Sequence, residues 1–134
     1  MSISEKRFNR LVSSAVSNSV SDIHIRTDDR PHFRLSGDLI PVKTDAFTLE
    51  DVKSIACMIA KKSEEEIDSI NELDGSYELG GVCRLRYNIL KYQGEFAIIL
   101  RVLTFDIPTT ESLRLPSTID RISETNNGLI LVTG

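Results

Sequence analysis

Phe8, Leu11, Val12, Ala15 and Val16 recur at i, i+3, i+4, i+7 and i+8, the spacing that gathers apolar side chains on one stripe of an α-helix. Ser2 and Glu5 stand before them in capping-box order, so the pattern predicts a helix over residues 4–17. The period then drops to two. Asp22-Ile23-His24-Ile25-Arg26 alternates polar and apolar as a half-buried strand does, and Asp28-Asp29-Arg30-Pro31 follows as a turn. Residues 32–35 and 39–42 are expected to be short strands of a hairpin around Ser36-Gly37-Asp38. Thr48 opens a second helix, with Leu49, Val52, Ile55, Ala56 and Ile59 at helical period and Glu50 and Asp51 near the positive end of its dipole. Ser63-Glu64-Glu65-Glu66 is another capping box, leading a shorter helix with Ile67 and Ile70 on one side. Its carboxylates read as a solvated first turn.

From Leu73 the alternation returns, and three strands are expected over roughly residues 73–79, 82–91 and 95–103, joined at Gly80-Gly81 and Gln93-Gly94. This is a meander. The stretch from Asp106 to Ser117 is punctuated by Pro108 and Pro116 and reads as a linker, with a domain boundary near 107. A small helix is expected over 117–125, stopped by Asn126-Asn127-Gly128. The end of the chain, Gly128-Leu129-Ile130-Leu131-Val132-Thr133-Gly134, is an apolar run of the kind buried on both faces of a parallel sheet. No βαβ unit precedes it. The run is therefore expected to be the first strand of a further domain, and residues 126–134 to be disordered, or borrowed by a neighbouring molecule, when that domain is missing.

Composition narrows the function classes. The 134 residues carry a formal net charge of -4, the wrong sign for a protein whose main partner is a phosphate backbone, so nucleic acid is not an expected partner. No apolar run approaches the ~20 residues needed to cross a bilayer, and no secretory h-region follows the start, which makes the cytoplasm the expected address. Cys57 and Cys83 match no redox or zinc spacing and are expected as buried free thiols. His24 and His32 supply at most half of a metal site, so no metal is expected.

Most catalytic constellations are absent from this stretch: no G-x-S-x-G, no H-E-x-x-H, no C-x-x-C and no Gly-Lys pair that could end a P-loop. One feature remains. In residues 82–89 the strand period puts Arg84, Arg86 and Asn88 on one face and Cys83, Leu85, Tyr87 and Ile89 on the other. Arg101 lies on the next strand of the meander and can join the same face. Guanidinium forks on a rigid sheet suit a phosphate or a carboxylate. The competing reading is a solvated face whose arginines pair with carboxylates across the strands.

Several segments in order carry a family likeness. Val20-Ser21-Asp22-Ile23-His24-Ile25, then residues 30–39, resemble the opening of PilT-type secretion ATPases, the hexameric motors that retract type IV pili. Leu73-Asp74-Gly75-Ser76-Tyr77-Glu78-Leu79 resembles the family's D-x-S-[FY]-E stretch. Arg84-Leu85-Arg86-Tyr87-Asn88 resembles its R-[FL]-R-x-N strand, and Ile99-Leu100-Arg101 its third arginine position. The closing run is similar to the strand that enters the Walker A loop, with Gly134 as the loop's first glycine. Gly75 departs from the pattern by standing where the family usually has an aromatic residue, and Cys83 by replacing a small one.

The resemblance implies an α+β fold, a PAS-like antiparallel sheet with helices packed on one face over residues 1–107. It makes residues 108–134 the linker and first strand of a RecA-like motor domain. It also implies that Arg86, Arg101 and Arg84 contact nucleotide phosphates, that the parent uses ATP and Mg²⁺ as a homohexamer, and that it works against an inner-membrane pilus platform protein. The chain by itself is then expected to turn over no ATP and to be a monomer or weak dimer. Two other readings are a stand-alone PAS-like sensor or adaptor and the N-terminal domain of a pilus-extension or type II secretion ATPase.

Overall fold

A computed structural model describes residues 2–134. Helix α1 (Ile3–Ser17) leads into strands β1 (Asp22–Arg26), β2 (His32–Leu35) and β3 (Asp38–Pro41). Helices α2 (Leu49–Ala60) and α3 (Glu64–Ser69) follow, then β4 (Glu72–Leu79), β5 (Cys83–Tyr92) and β6 (Glu95–Leu103), and last the short helix α4 (Thr118–Ser123). Capping boxes open all three of the first helices: Ser2 with Glu5, Thr48 with Asp51, and Ser63 with Glu66. Each pairs a hydroxyl with the otherwise unsatisfied amide of the first turn and a carboxylate with the cap's own amide.

The six strands form one antiparallel sheet in the order β3-β2-β1-β6-β5-β4, so β1 and β6 lie side by side at its middle. Two tight turns fix the register. Leu35 opposes Asp38 across Ser36 and Gly37, and Tyr92 opposes Glu95 across Gln93 and Gly94. Both central residues of each turn have positive φ, the twist that lets two strands return on themselves without splaying.

Alternation along the strands separates the two faces. Ile23, Ile25, Leu85, Ile89, Ile98 and Leu100 are fully buried and meet Phe8, Val12, Ile55 and Ile67 of the helices. Helix α2 lies over β4 and β6, and Phe8 of α1 meets Tyr77 of β4 edge to face at 6.2 Å between ring centres. Helix α1 is also tied to the start of α2. Asp51 accepts a hydrogen bond from Ser4 Oγ at 2.6 Å and an ion pair from Arg7 at 3.2 Å, while the Arg7 guanidinium sits 4.1 Å over the Phe47 ring.

Residues 128–134 pair with no strand among the described residues, and Leu129, Ile130, Leu131 and Val132 are exposed; the expectation that is corrected is the burial of Cys57. An apolar run becomes a buried strand only where neighbouring strands satisfy its amides and carbonyls, and none lies beside this one. Helix α4 likewise buries no residue. Cys57 is half-buried, because its place on α2 is at the border of the apolar stripe, whereas Cys83 is buried in β5; both are free thiols. Among the described residues no group of three His, Cys, Asp or Glu side chains could hold a metal ion. No described helix is long and apolar enough to cross a membrane.

Candidate functional site

The face turned away from the helices carries Asp22 of β1, Arg34 of β2, Ser76 of β4, Arg86 of β5 and Arg101 of β6. Register sets them in rows. Arg34 of β2 opposes Asp22 of β1, Asp22 opposes Arg101 of β6, Arg101 opposes Arg86 of β5, and Arg86 opposes Ser76 of β4. Five strands thus contribute one line of side chains containing three arginines and a carboxylate. Around it lies an open depression of about 660 Å³ whose lining includes Asp22, Asp74, Ser76, Arg84, Arg86 and Arg101.

All three sequence-predicted arginines therefore reach one site, but they are not equivalent. Arg84 faces Glu78 directly across the β4–β5 pair, with Nη2 3.7 Å from the carboxylate. Arg101 donates from Nε to Oδ1 of Asp22 at 3.2 Å. The Arg86 side chain makes no hydrogen bond or ion pair with any described residue. The surface is thus less cationic than three arginines imply, because cross-strand carboxylates balance two of them. Asn88, on the same face, donates to Glu72 and Asp74, both at 2.9 Å, and so anchors β4 to β5.

Like charges directly opposite on neighbouring strands repel, and a carboxylate alongside relieves them. The Arg86–Arg101 pair has its relief on one side only, at Asp22. An anion held between the two guanidinium groups would supply the other half, and the fork geometry favours one with several oxygens.

Asp22 is the functional candidate that sequence reasoning left at packing and local hydrogen bonding. It is a buried charged residue, its side chain 10% exposed, and both oxygens are engaged. Ser21 Oγ donates to Oδ2 at 2.9 Å, and Nε of Arg34 lies 3.7 Å from that same oxygen. Alternation in residues 22–26 had put Asp22 on the polar face. What it could not give was the β1–β6 pairing that brings Arg101 to it from 79 positions away.

His24 belongs to the next row, opposite His32. Burial, followed by the charge of Arg34, holds its pKa below the ordinary 6.5, against the opposing pull of Asp22. Between the lowered value and the ordinary one the unfolded chain binds more protons than the folded one, so stability rises with pH across that window. Denaturant midpoints should climb as pH approaches 6.5 from below and then level off. His24→Gln should flatten the climb; an unchanged slope would assign it to another group.

No family model matches the sequence. Individual proteins do. The chain is 26% identical over 125 residues to the type IV pilus retraction ATPase PilT of Pseudomonas aeruginosa, covering 92% of this chain and 36% of that protein. It is 29% identical over 105 residues to a twitching motility protein of Neisseria gonorrhoeae, covering 78% of this chain and 28% of the relative. A crystal structure of the pilus retraction motor PilT with bound ADP superposes with a TM-score of 0.68 at 27% identity, over 83% of this chain and 33% of the motor. The chain is homologous to the N-terminal region of PilT/twitching motility ATPases. It spans about a third of the length of these relatives. Sheet and helices match the N-terminal domain of PilT-like ATPases, so the α+β expectation holds for the six-stranded sheet.

Proposed function

We propose that this chain is the N-terminal domain of a ring-forming pilus ATPase of the retraction kind, and that Arg86 and Arg101 reach the phosphates of ATP bound on a motor domain of the same or a neighbouring subunit. The observation that carries the reading is the Arg86–Arg101 pair: two guanidinium groups opposite each other on a rigid sheet, one without a partner among the described residues. Positive groups fixed in advance stabilise charge that develops on a transferring phosphoryl group, because they need not reorganise during the reaction. Homology to ATPases of pilus machinery supplies the anion that the pair would meet.

The fit is to phosphate oxygens alone. The chain holds no Gly-Lys pair, and no described cluster suits a metal ion, so the cradle and the Mg²⁺ site are assigned to the motor domain. Arg84 is the weaker contact, since Glu78 competes for it. On this reading residues 108–134 lead into that domain, Gly134 begins its phosphate loop, and the protein works in the cytoplasm against a platform at the inner membrane. Cells lacking a retraction motor should keep surface pili while losing twitching; bald cells would mark an extension motor instead. The direct test is a structure of the full-length protein with a bound nucleotide. Arg86 or Arg101 is expected within hydrogen-bond distance of a phosphate oxygen. Both guanidinium groups facing bulk solvent, remote from every nucleotide in the ring, would overturn the assignment.

A further inference from the structure

Asp22 spends its Oδ1 on one particular nitrogen of Arg101. Contact is to Nε at 3.2 Å, and neither terminal nitrogen of that guanidinium bonds to a described residue. Arg101 is 65% exposed while Asp22 is 10% exposed, so the carboxylate is the fixed partner and the arginine the adjustable one. The carboxylate is itself held. Ser21 Oγ and Arg34 Nε secure Oδ2, and Asp22 lies in β1 between β2 and β6 at the middle of the sheet.

A free arginine on a strand samples many rotamers, and ordering it on a ligand costs side-chain entropy. A side-on carboxylate removes much of that cost beforehand and leaves the fork of terminal N–H groups turned outward. We infer that Asp22 is a positioning residue: it grips Arg101 at Nε so that the two terminal nitrogens stand ready over the depression shared with Arg86. The inference rests on the proposed role of the arginines and adds to it the residue that aims one of them. Arg86 has no such carboxylate partner among the described residues, so an anion would have to order it. The two arginines therefore differ in kind, one preset and one recruited.

The test is a double-mutant cycle on MgATP turnover by the full-length protein, comparing wild type, Asp22→Asn, Arg101→Ala and the double variant. Asp22→Asn keeps the shape and removes the charge. It is expected to lower kcat by about 10–100-fold, the scale of losing the residue that orients a metal ligand, with KM little changed. Added to Arg101→Ala it should cost nothing more, because the residue it positions is gone. Asp22→Glu should recover part of the loss. Arg101→Lys, which still pairs with Asp22 but lacks the fork, should keep the thermal midpoint and match Arg101→Ala in rate. Wild-type turnover in Asp22→Asn, or a loss that multiplies with that of Arg101→Ala, overturns the positioning role and leaves the arginine assignment intact. Wild-type turnover in Arg101→Ala overturns both.

Discussion

Arg86→Ala in the full-length protein is expected to lower kcat for ATP hydrolysis by about 10³-fold, the low end of what an arginine finger contributes. Folding should be nearly unaffected, since Arg86 is an exposed side chain that bonds to no described residue. Removing one member of a like-charged cross-strand pair leaves stability unchanged or slightly raised. That combination, a large kinetic loss without a stability loss, separates a chemical role from a structural one. Arg86→Lys should restore little, because an ammonium supplies a point charge and lacks the planar fork. Arg84→Ala is expected to cost less than Arg86→Ala, since the Glu78 carboxylate already occupies that guanidinium. Steady-state rates together with thermal melts of the three variants decide the matter, and a wild-type kcat in Arg86→Ala would withdraw the finger.

An acidic composition is compatible with the proposed phosphate contacts because the arginines they use are concentrated by register rather than by number. A net charge of -4 excludes a broad basic surface. It does not prevent three arginines from two adjacent antiparallel strands reaching one depression, since strand pairing joins residues apart in the chain. This is also where sequence reasoning stops. The faces of β5 and β6 are legible from period-two alternation, and the three capping boxes from local spacing. Arg84, Arg86 and Arg101 could therefore be placed on one face without coordinates. Local pattern does not specify which strand neighbours β6 on its far side, and that pairing decides that Asp22 meets Arg101. The same ignorance of register hides the Glu78–Arg84 pair, which with Asp22–Arg101 turns a uniform cationic patch into two partnered guanidinium groups and one unpartnered among the described residues. At residues 129–132 the apolar pattern names a strand correctly only in the presence of a sheet to receive it.

Gly75→Ala is expected to destabilise the domain by about 3 kcal/mol, the upper end of the usual overpacking cost. Gly75 has no strained backbone; the constraint is its neighbour. A Cβ at this position would lie 2.3 Å from Oη and 2.4 Å from Cζ of Tyr87, the residue directly opposite on β5. Tyr87 is only 8% exposed and packs in the core cluster, so its ring cannot swing aside without exposing apolar surface. The ring thus fills the space that a side chain at 75 would take, as an aromatic does when it covers a strand glycine. Where the resemblance leads one to expect an aromatic at 75, this chain provides the same volume from the facing strand. The two positions then share room for one ring, and exchange becomes the decisive experiment. Gly75→Phe alone should unfold at a markedly lower denaturant concentration, whereas Gly75→Phe combined with Tyr87→Ala should recover much of the loss, a coupling that independent sites would not produce. Tyr87 lies between Arg86 and Asn88 on β5, so a displaced ring would also shift the strand that aims Arg86. Gly75→Ala should consequently lower kcat as well as stability, and a variant with wild-type midpoint would disprove the shared-volume account.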